Sequence, residues 1–316
     1  MAVTQKAPTS PAGSLSFHYQ SDEVKPGKKK IAPLVVGKWT MRDLAYTFFI
    51  FLFHVMCLFA PYTFTWGAFT CAYLLYVLTI FSITFSYHRN LAHRSFNIPK
   101  YLEYLFAYFA LHAYQGDPVF WVSTHRYHHK VTDTERNPHS PTQGLLFSHI
   151  GWIFDFNQIL KKGGNYANVR DLTRQPYYMF LRQTMGYHVV LLGVLLYAFG
   201  GFPYLVWGMG VRTVWAYHIT WAVNSVCHTW GNRAWNTPDL SKNNWLLCLA
   251  TFGESWHNNH HAFDYSARQG LEWWQIDLTW YVIKLLEYFG LATDVKLPTE
   301  AHKQRLSLDA KQQSSK

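Results

Sequence analysis

The sequence has few charged residues and long stretches that contain none. Only 15% of its 316 residues are Asp, Glu, Lys or Arg, whereas an ordinary soluble domain has about 25%. Hydrophobic residues make up 49% and aromatic residues 18%, yet the mean hydropathy is only −0.09. This balance is unusual for a soluble domain and excludes a bundle made only of membrane spans. It predicts several spans that carry a sizeable polar cap.

Cysteine is scarce, and the sequence motifs of several cofactors are missing. Cys57, Cys71, Cys227 and Cys248 lie in apolar runs without a C-x-x-C pair, so we expect reduced, buried thiols and no cysteine zinc site. No HPGG haem motif and no glycine-rich nucleotide fingerprint occurs. The net charge of +10 predicts an anionic membrane surface or an acidic protein as partner, and no nucleic acid, because the middle of the chain is aromatic and poor in charge.

Two regions with almost no charge predict four membrane spans. Residues 44–87 contain no charged residue, and Pro61 divides them in two. Residues 183–232 contain only Arg212, and the turn signal GGFPY divides them again. Crossing a membrane takes about 20 apolar residues, which gives spans at 44–60, 66–87, 184–200 and 204–228. A buried helical hairpin in a soluble protein is the alternative for the first pair.

The remaining residues predict flexible tails and a cap on one side of the membrane. The basic loops flank even-numbered crossings, which predicts that both termini and the cap are cytosolic. An interfacial helix is expected at 101–116 and an amphipathic helix at 271–291. The predicted fold is therefore an all-α membrane protein. Its parts are a flexible basic tail (1–40), a main domain (41–295) with cap regions 88–183 and 229–295, and a C-terminal tail (296–316).

Histidine is present in excess, with 17 residues against 18 Asp and Glu together. Three clusters, HRNLAH, HRYHH and HNNHH, contain His88, His93, His125, His128, His129, His257, His260 and His261. An even number of predicted crossings separates the clusters, so all eight emerge on the same membrane face. Helix positions i, i+3 and i+4 share a face, and neutral imidazole binds iron, zinc, copper and nickel. Because eight imidazoles exceed what one ion takes, the pattern predicts a pair of metals.

The residues around the clusters favour iron over zinc. Zinc sites are tetrahedral and often contain cysteine, and no cysteine lies near the clusters. The carboxylate di-iron pattern Glu-x-x-His occurs only once, at Glu254 and His257, which leaves a pair of irons bound by histidine alone. Asp133 and Glu254 are candidates for orienting imidazole rings, with a solvated cap residue as the alternative for Glu254. The other histidines are expected to be structural or surface residues: His18, His54, His112, His139, His149, His188, His218 and His302.

The motifs HRNLAHRSF, HRYHHKVTD and GESWHNNHHAF, with NPHSP and FSHIGW between them, resemble the membrane fatty acyl desaturases. The likeness is greatest to the plant and cyanobacterial delta-9-type acyl-CoA and acyl-lipid group, covers roughly residues 38–305, and includes Arg268-Gln269-Gly270. It implies an O2-dependent enzyme that uses two irons to insert a cis double bond into a saturated acyl chain. Delta-9 is the expected position, with delta-5 and delta-7 as alternatives. There are two rival functions. One is an acyl hydroxylase that uses the same metal pair, and the other is a non-catalytic metal transporter or receptor.

The resemblance also implies further site residues. The family pattern N-S-x-x-H corresponds here to Asn224 and His228, which makes His228 a ninth ligand and Asn224 a ligand through water. Ser123 and Thr124 stand where the animal acyl-CoA enzymes have an Arg-Asp pair, which leaves a lipid-linked acyl chain as possible a substrate as acyl-CoA. The implied tunnel residues are Gln115, Trp121, Thr220 and Trp221, with interfacial packing as the alternative for the two tryptophans.

The resemblance implies an external source of electrons, because the sequence contains no redox domain of its own. The expected donor is cytochrome b5 if the protein lies in the endoplasmic reticulum membrane, which is the expected location. It is ferredoxin if the protein lies in a chloroplast membrane. Either donor would be an acidic protein drawn to the basic cytosolic face.

Overall fold

The structure is a computed structural model that describes residues 39–308, and the regular secondary structure of this part of the chain is helical apart from isolated β-bridges. The predicted basic tail falls almost entirely outside the described residues, as does the chain after residue 308. In chain order the α-helices are α1 (Met41–Cys57), α2 (Trp66–Ser82), α3 (Lys100–Leu111), α4 (Pro118–Lys130), α5 (Leu145–His149), α6 (Phe156–Lys162), α7 (Arg170–Thr173), α8 (Pro176–Leu205), α9 (Arg212–Ser225), α10 (His257–Ala262), α11 (Leu278–Tyr288) and α12 (Glu300–Leu306).

Two helical stretches among residues 39–308 are long and apolar enough to cross a membrane, Trp66–Ala92 and Pro176–His228. The first is α2, which continues as a π-helix over Ile83–Ala92. The second has 53 residues, and a straight helix of that size would be about 80 Å long, far more than the roughly 30 Å hydrocarbon core. Gly201 breaks it, because its φ of 65° is not helical.

The two halves of the long stretch run antiparallel after the break. A Cβ on Gly208 would lie 2.7 Å from Leu196 Cδ1, and one on Gly193 would lie 3.7 Å from Met209 Cε. The returning half is a π-helix over Val206–Val211 that leads into α9. The turn was expected from the GGFPY signal, and it lies where the third and fourth predicted spans meet.

The first predicted span corresponds to α1, whose 17 residues begin at Met41 and end at Cys57. Thr40 and Asp43 form a capping box at its start, and Asp43 also accepts a 2.8 Å hydrogen bond from the backbone N–H of Phe156 in α6. Asp43 therefore fixes the beginning of α1 to the cap.

The outer faces of these helices are apolar. Phe51 in α1 is 68% exposed, and Tyr187 and Phe199 in α8 are 78% and 86% exposed. Contiguous apolar surface of this extent is unfavourable in water and is typical of a surface that faces lipid. Arg212 lies within the returning half of the long stretch, but it is buried and donates hydrogen bonds to the carbonyl oxygens of Gly208 (2.8 Å) and His112. Its charge is thus kept away from the apolar face.

The cap packs on the end of the α2 stretch. Phe85 and Phe96, at either end of the first histidine cluster, form a buried apolar cluster with Trp280 and Ile283 of α11. The predicted helices at 101–116 and 271–291 correspond to the shorter α3 and α11. In the segment predicted as a C-terminal tail, the structure has helix α12, whose Leu306 carbonyl accepts a 2.8 Å hydrogen bond from the Asn236 backbone N–H.

Candidate metal centre

The first histidine cluster lies at the C-terminal end of a π-helix. His88 is within the π-helical segment and His93 directly follows it, with a 3.1 Å hydrogen bond from the His93 backbone N–H to the His88 carbonyl. This bond is the i→i+5 bond of a π-helix, in which positions five apart stack along the axis. The local widening explains how the spacing H-x-x-x-x-H puts two imidazoles on one face.

The second cluster is presented by α4. Asp117 caps the helix by accepting hydrogen bonds from the backbone N–H groups of Val119 (2.9 Å) and Phe120 (3.0 Å), and Pro118 suits the first helical position. Near the other end, Arg126 donates to the carbonyl oxygens of Leu91 (2.7 Å) and Ala92 (3.1 Å). Arg126 therefore ties α4 directly to the end of the first histidine cluster.

The third cluster forms α10, a helix of only six residues that is held by its neighbouring asparagines. Asn258 Oδ1 accepts hydrogen bonds from the backbone N–H groups of Ala234 and Trp235, both at 2.8 Å. Asn259 accepts from Trp235 Nε1 and Asn243 Nδ2 at 2.8 and 2.7 Å. The two asparagines in HNNHH thus anchor the helix to the loop after α9, while its histidines face the opposite way.

Nine histidines come together in two adjoining groups, and in each group one ring nitrogen of every member lies within 4.8 Å of the others. The rings of His129 and His261, one from each group, stack with centroids 4.6 Å apart. Group 1 contains His88, His93, His125, His129 and His260. Group 2 contains His128, His228, His257 and His261. Clusters two and three are therefore each divided between the groups.

The nitrogens that approach one another are Nε2 atoms. Two nitrogens that bind one ion at about 2.1 Å and at right angles lie about 3 Å apart, and the observed separations are close to this value. In group 1 they are His93–His125 at 2.8 Å, His129–His260 at 2.9 Å and His88–His260 at 3.1 Å. In group 2 they are His228–His257 at 2.9 Å, His257–His261 at 3.1 Å and His128–His261 at 3.5 Å.

The opposite nitrogens, Nδ1, are held by polar side chains outside the groups. His228 Nδ1 lies 3.0 Å from Asp133 Oδ2, and His261 Nδ1 lies 3.0 Å from Asp239 Oδ2. A carboxylate accepts the proton on Nδ1, so the Nε2 atom of each ring carries a lone pair that points inwards. The nine Nε2 atoms converge in two buried groups, and such a set of imidazole nitrogens fits metal ions. Glu254 and Asn137 Oδ1 are acceptors that face the Nδ1 atoms of His88 and His128, whereas Gln269 Nε2, a donor, lies 3.3 Å from His260 Nδ1.

A buried ionic network supports the contact between His88 and Glu254. Arg89 Nε donates to Glu254 Oε1 at 3.0 Å, and its Nη1 donates to Asp277 Oδ2 at 3.0 Å. Gln269 Nε2 donates to the other oxygen of Glu254 at 3.0 Å. Asp277 also caps α11 through the Trp280 backbone N–H at 3.0 Å. Glu254 is therefore a buried, fully engaged residue and not a solvated cap residue.

The electrostatics of the site favour neutral imidazoles and charged carboxylates. Burial, reinforced by neighbouring imidazoles, holds the pKa of six of these histidines well below its ordinary value. Burial alone would raise the pKa of Asp239, but His261 lowers it below its usual range. Neutral imidazole is the form that binds metals, so the site is in its metal-binding state at neutral pH. The six are His93, His125, His128, His129, His257 and His260.

Two cavities meet beside the histidine groups. The central cavity has about 780 Å³ of empty volume and is lined mainly by aromatic and aliphatic side chains. The inner cavity has about 540 Å³ and is lined by α2, its π-helical continuation and α9. Four residues line both cavities, namely Trp121, His125, Thr220 and Asn224. Asn224, the predicted ligand through water, therefore lies where the two cavities join at the metal groups.

The predicted tunnel residues line the central cavity, and two of them, Trp121 and Thr220, lie at its junction with the inner cavity. All four line the central cavity, and three are joined by hydrogen bonds. Gln115 Nε2 donates to Thr220 Oγ1 at 2.8 Å, and Trp121 Nε1 donates to Gln115 Oε1 at 3.3 Å. Trp221, the fourth, is 4% exposed and stacks on Tyr217 with ring centroids 5.0 Å apart. The hydrogen-bonded trio forms a rigid polar bridge in an otherwise apolar wall.

The histidines expected to be structural stay outside the two groups. His139 comes closest, since its ring centroid lies 4.4 Å from that of His128, but it is not a member of either group. His54, His149 and His218 form a separate hydrogen-bonded chain, the three-histidine chain. His302 lies on the surface against Tyr265, and His18 falls outside the described residues.

Several residues that position the ligands were not expected from the sequence. Asp239 lies 22 positions before His261, the histidine it contacts, while Arg89 lies within HRNLAH and Asn137 within NPHSP. A local signal existed for Arg89, which directly follows His88 within the first cluster, whereas Asn137 lies eight residues after the second cluster. Asp239 had no such signal, since only the folding of the loop after α9 brings it to His261.

The fold and site define a class, a helical membrane protein with a paired site of buried histidines that can bind metal. The fatty acid desaturase family model matches residues 63–293. The chain is 60% identical over 285 residues to the "Acyl-CoA C20 Delta5-desaturase" of Anemone leveillei, covering 90% of this chain and 91% of that protein. The chain belongs to the fatty acid desaturase family, and it is a fatty acyl desaturase, an oxidoreductase.

Relatives with other stated positions are similarly close. The chain is 57% identical over 271 residues to the "Palmitoyl-monogalactosyldiacylglycerol delta-7 desaturase, chloroplastic" of Arabidopsis thaliana, covering 85% of this chain and 73% of that protein. It is 53% identical over 288 residues to the "Delta-9 acyl-lipid desaturase 1" of the same plant, covering 91% and 94%. These names span three bond positions, so similarity alone does not assign one to this chain.

Proposed function

We propose that this protein inserts a cis double bond at the delta-9 position of a saturated acyl chain, carried by CoA or by a lipid, with O2 as co-substrate. Two irons would be bound by the nine histidines, and Asn224 would complete the second site through a water molecule. The observation that carries this proposal is the set of inward-pointing Nε2 atoms about 3 Å apart, whose rings are fixed from behind by Asp133, Asp239 and Glu254.

The substrate dictates which chemistry the site must supply. A methylene in the middle of a saturated chain has no proton that a side-chain acid or base could remove. When bound, a pair of irons supplies the oxygen-dependent oxidation that such a C–H bond requires. The chain itself holds the imidazoles neutral and in fixed orientations, and it surrounds the site with buried side chains that exclude bulk water.

The two cavities would place the substrate. Apolar contact contributes about 0.8 kcal/mol per buried CH2 wherever along the chain that group lies, so an apolar channel alone holds a chain without selecting a carbon. The junction at Trp121 and Thr220 lies beside His125, and a chain that passes from one cavity to the other presents its middle there. We infer that the Gln115–Thr220–Trp121 bridge bends the chain and favours the cis product.

We further propose the membrane arrangement predicted from the sequence. The four spans would be α1, the α2 stretch and the two halves of the broken stretch, with both termini and the cap in the cytosol. The endoplasmic reticulum is the proposed location, and cytochrome b5 the proposed electron donor. A chloroplast membrane with ferredoxin is the alternative that the name of the delta-7 relative favours.

Expression of the full chain in yeast tests the function. The fatty acids are analysed by gas chromatography, and the double bond is located by mass spectrometry. New cis-delta-9 monoenes are expected. Monoenes at delta-5 or delta-7 would keep the desaturase and overturn the position, and hydroxy acids would overturn desaturation in favour of a hydroxylase. Metal analysis of the purified protein should find two irons per chain, and a single metal would contradict the proposed centre.

A further inference from the structure

The two histidine groups differ in the charges that lie behind their imidazoles. In group 2, Asp133 and Asp239 each have an oxygen 3.0 Å from an Nδ1 atom, that of His228 and that of His261 respectively. Since group 2 has four members, carboxylates lie behind half of them. Among residues 39–308, His88 is the only one of the five members of group 1 with a carboxylate at its Nδ1 atom.

The two carboxylates of group 2 have no cation that neutralises them. Both are buried, and within the described residues neither Asp133 nor Asp239 forms an ion pair with a lysine or an arginine. Asp133 also accepts from a backbone N–H at 2.7 Å, and Asp239 accepts from the Ser241 backbone N–H at 3.0 Å. Arg233, on the same loop, donates to Thr237 Oγ1 at 3.2 Å. Neutral donors stabilise a carboxylate without cancelling its charge.

The carboxylate of group 1 belongs to an ion-pair network instead. Arg89 Nη2 lies 3.0 Å from Glu254 Oε1 and 2.9 Å from Asp277 Oδ1. Gln269 donates to the other oxygen of Glu254 at 3.0 Å, and it presents the same donor group to His260 Nδ1 at 3.3 Å. Two carboxylates against one arginine leave a single negative charge in this network.

A second ion-pair network borders group 1 and has the opposite sign. Arg126 and Arg94 each pair with Asp171 at 2.8 Å. Arg94 directly follows His93 in the sequence, and Arg126 donates to the carbonyl oxygen of Ala92, which precedes it. Two arginines against one aspartate leave a single positive charge. The ionic surroundings of group 1 therefore balance, whereas those of group 2 keep two negative charges.

Such a difference acts on the oxidation state of a bound iron. A carboxylate at Nδ1 makes the imidazole more basic, and the attraction between a carboxylate and an ion grows with the charge of the ion. Both effects favour a ferric over a ferrous ion. Because the carboxylates of group 2 are buried, water and salt screen this attraction only weakly.

We propose that the group 2 position favours ferric iron, so that the group 1 position is reduced first. This rests on the proposed di-iron centre. One electron from the external protein donor converts the ferric ion at group 1 to ferrous, and a second electron then does the same at group 2. Asp133 and Asp239 are positioning residues in this account, since they act on the ion through His228 and His261.

Stepwise reduction of the iron-loaded, full-length protein in detergent tests the order. The solution potential is lowered with dithionite in the presence of redox mediators, and Mössbauer spectroscopy measures ferric and ferrous iron at each step. Half of the iron should become ferrous at a higher potential than the other half. A single midpoint for all of the iron in the wild type would overturn the inference.

Charge-removing variants show which half belongs to which group. Asp133→Asn and Asp239→Asn keep an acceptor for the Nδ1 proton and remove the charge, so each should make the half that is reduced last easier to reduce. Its ferric-to-ferrous ratio at a fixed potential should fall about tenfold, the lower end of the roughly 10–100-fold range for residues behind a metal ligand. A tenfold change corresponds to about 59 mV for one electron.

Glu254→Gln gives a shift of the opposite sign. It removes the charge behind group 1, so the half that is reduced first should become still easier to reduce and the gap between the midpoints should widen. The gap should narrow in Asp133→Asn and Asp239→Asn, and it should stay as in the wild type in Asp294→Asn, whose carboxylate lies on the surface. An unchanged gap in both group 2 variants, or a narrower one in Glu254→Gln, would overturn the assignment.

Iron content and thermal unfolding are checked for every preparation, and iron is supplied in excess so that a weakened site stays filled. Because the three variants shift the gap in opposite directions, loss of any one of them through misfolding leaves the test intact. A protein that binds two irons with separate midpoints but makes no unsaturated product supports the reduction order and overturns the proposed activity. A protein that binds a single metal overturns the proposed centre and the reduction order together.

Discussion

The protein contains two assemblies of histidine, and they are built differently. The nine histidines of groups 1 and 2 turn their Nε2 atoms inwards, and carboxylates or amides hold several of them from behind through Nδ1. The three-histidine chain has no such centre. His218 contacts His54 through Nε2 at 3.1 Å and His149 through Nδ1 at 2.9 Å, and His149 contacts Ser225 Oγ at 2.9 Å.

The difference shows what makes clustered histidines suitable for metal. In the three-histidine chain each close contact pairs a donor with an acceptor, and both nitrogens of His218 are already used. In the groups, Glu254, Asp133 and Asp239 face the Nδ1 atoms of His88, His228 and His261 and leave the Nε2 lone pairs of these three rings pointing inwards. A carboxylate behind an imidazole fixes its tautomer and its orientation, and three rings of the two groups have one.

The largest expected effect separates the two assemblies. His128→Ala removes a ligand of group 2, and His260→Ala removes a ligand of group 1. Each variant should lower the metal content and reduce the amount of product at least a hundredfold. This exceeds the roughly 10–100-fold loss that is typical when a residue behind a metal ligand is changed. His218→Ala should leave both unchanged. Metal analysis of purified protein and gas chromatography of yeast fatty acids measure this. Intact lipid unsaturation in His128→Ala or His260→Ala would contradict the proposed centre.

A smaller effect is expected when only the outer partner is changed. Asp239→Asn should reduce metal affinity or activity roughly 10–100-fold, because the amide no longer accepts the Nδ1 proton of His261 with a full charge. Metal retention against a chelator, followed with time, measures the loss. Asp294→Asn is the control, since Asp294 has only a 3.7 Å contact with Lys296 on the surface. Equal retention in the two variants would show that Asp239 does not tune the site.

An ion pair outside both assemblies should affect stability in a pH-dependent way. Burial would raise the pKa of Asp171, but Arg126 and Arg94 lower it from 3.8 to about 2. A carboxyl group whose pKa is lower in the folded than in the unfolded protein stabilises the folded state when the pH lies above the unfolded pKa. This stabilisation is lost as the pH falls through the folded pKa. Since the carboxylate is partly exposed, Asp171→Asn should cost about 1–2 kcal/mol at neutral pH.

Thermal unfolding in detergent between pH 7 and pH 3 measures this loss. The difference between wild type and Asp171→Asn should be constant above about pH 4, which is near the unfolded pKa, and should shrink below it. Glu300→Gln, at a surface pair with Lys303, should show no such difference. A difference that grows as the pH falls would have the wrong sign for an ion pair.

The smallest effect is expected in the three-histidine chain itself. His218→Gln keeps a polar side chain but cannot contact both His54 and His149 with the same geometry, so it should lower the free energy of unfolding by about 1 kcal/mol. Metal content and product should stay at the wild-type level. Thermal unfolding and metal analysis of the same preparation measure both quantities. A loss of metal in this variant would mean that the two assemblies are not independent.

Much of the protein could be predicted from its sequence because the informative signals are local. The three clusters predicted the family, which is confirmed, and the charge-free regions predicted apolar helices, of which two stretches have the length and composition of spans. The helix ends were less accurate. The π-helix over Ile83–Ala92 has no simple sequence pattern, and it extends the second predicted span beyond His88.

The distribution of ligands between the two groups could not be predicted. The spacing H-x-x-H-H indicates that His125, His128 and His129 share a helix face, but a face is wide enough to serve two centres. His125 and His129 join group 1, whereas His128 joins group 2. Which group a ring joins depends on the helix opposite it, and that requires the packing of α4 against α10 and the loop after α9.

The sequence by itself determined the class of chemistry, since the types and spacing of the histidines and the absence of charge along the spans are properties of short segments. Tertiary structure decided which imidazoles face one another, which carboxylates lie behind them and where the central and inner cavities join. The reason is distance. Asp239 and His261, Glu254 and His88, and Trp152 and His139 are far apart along the chain, and only the packed helices bring them into contact.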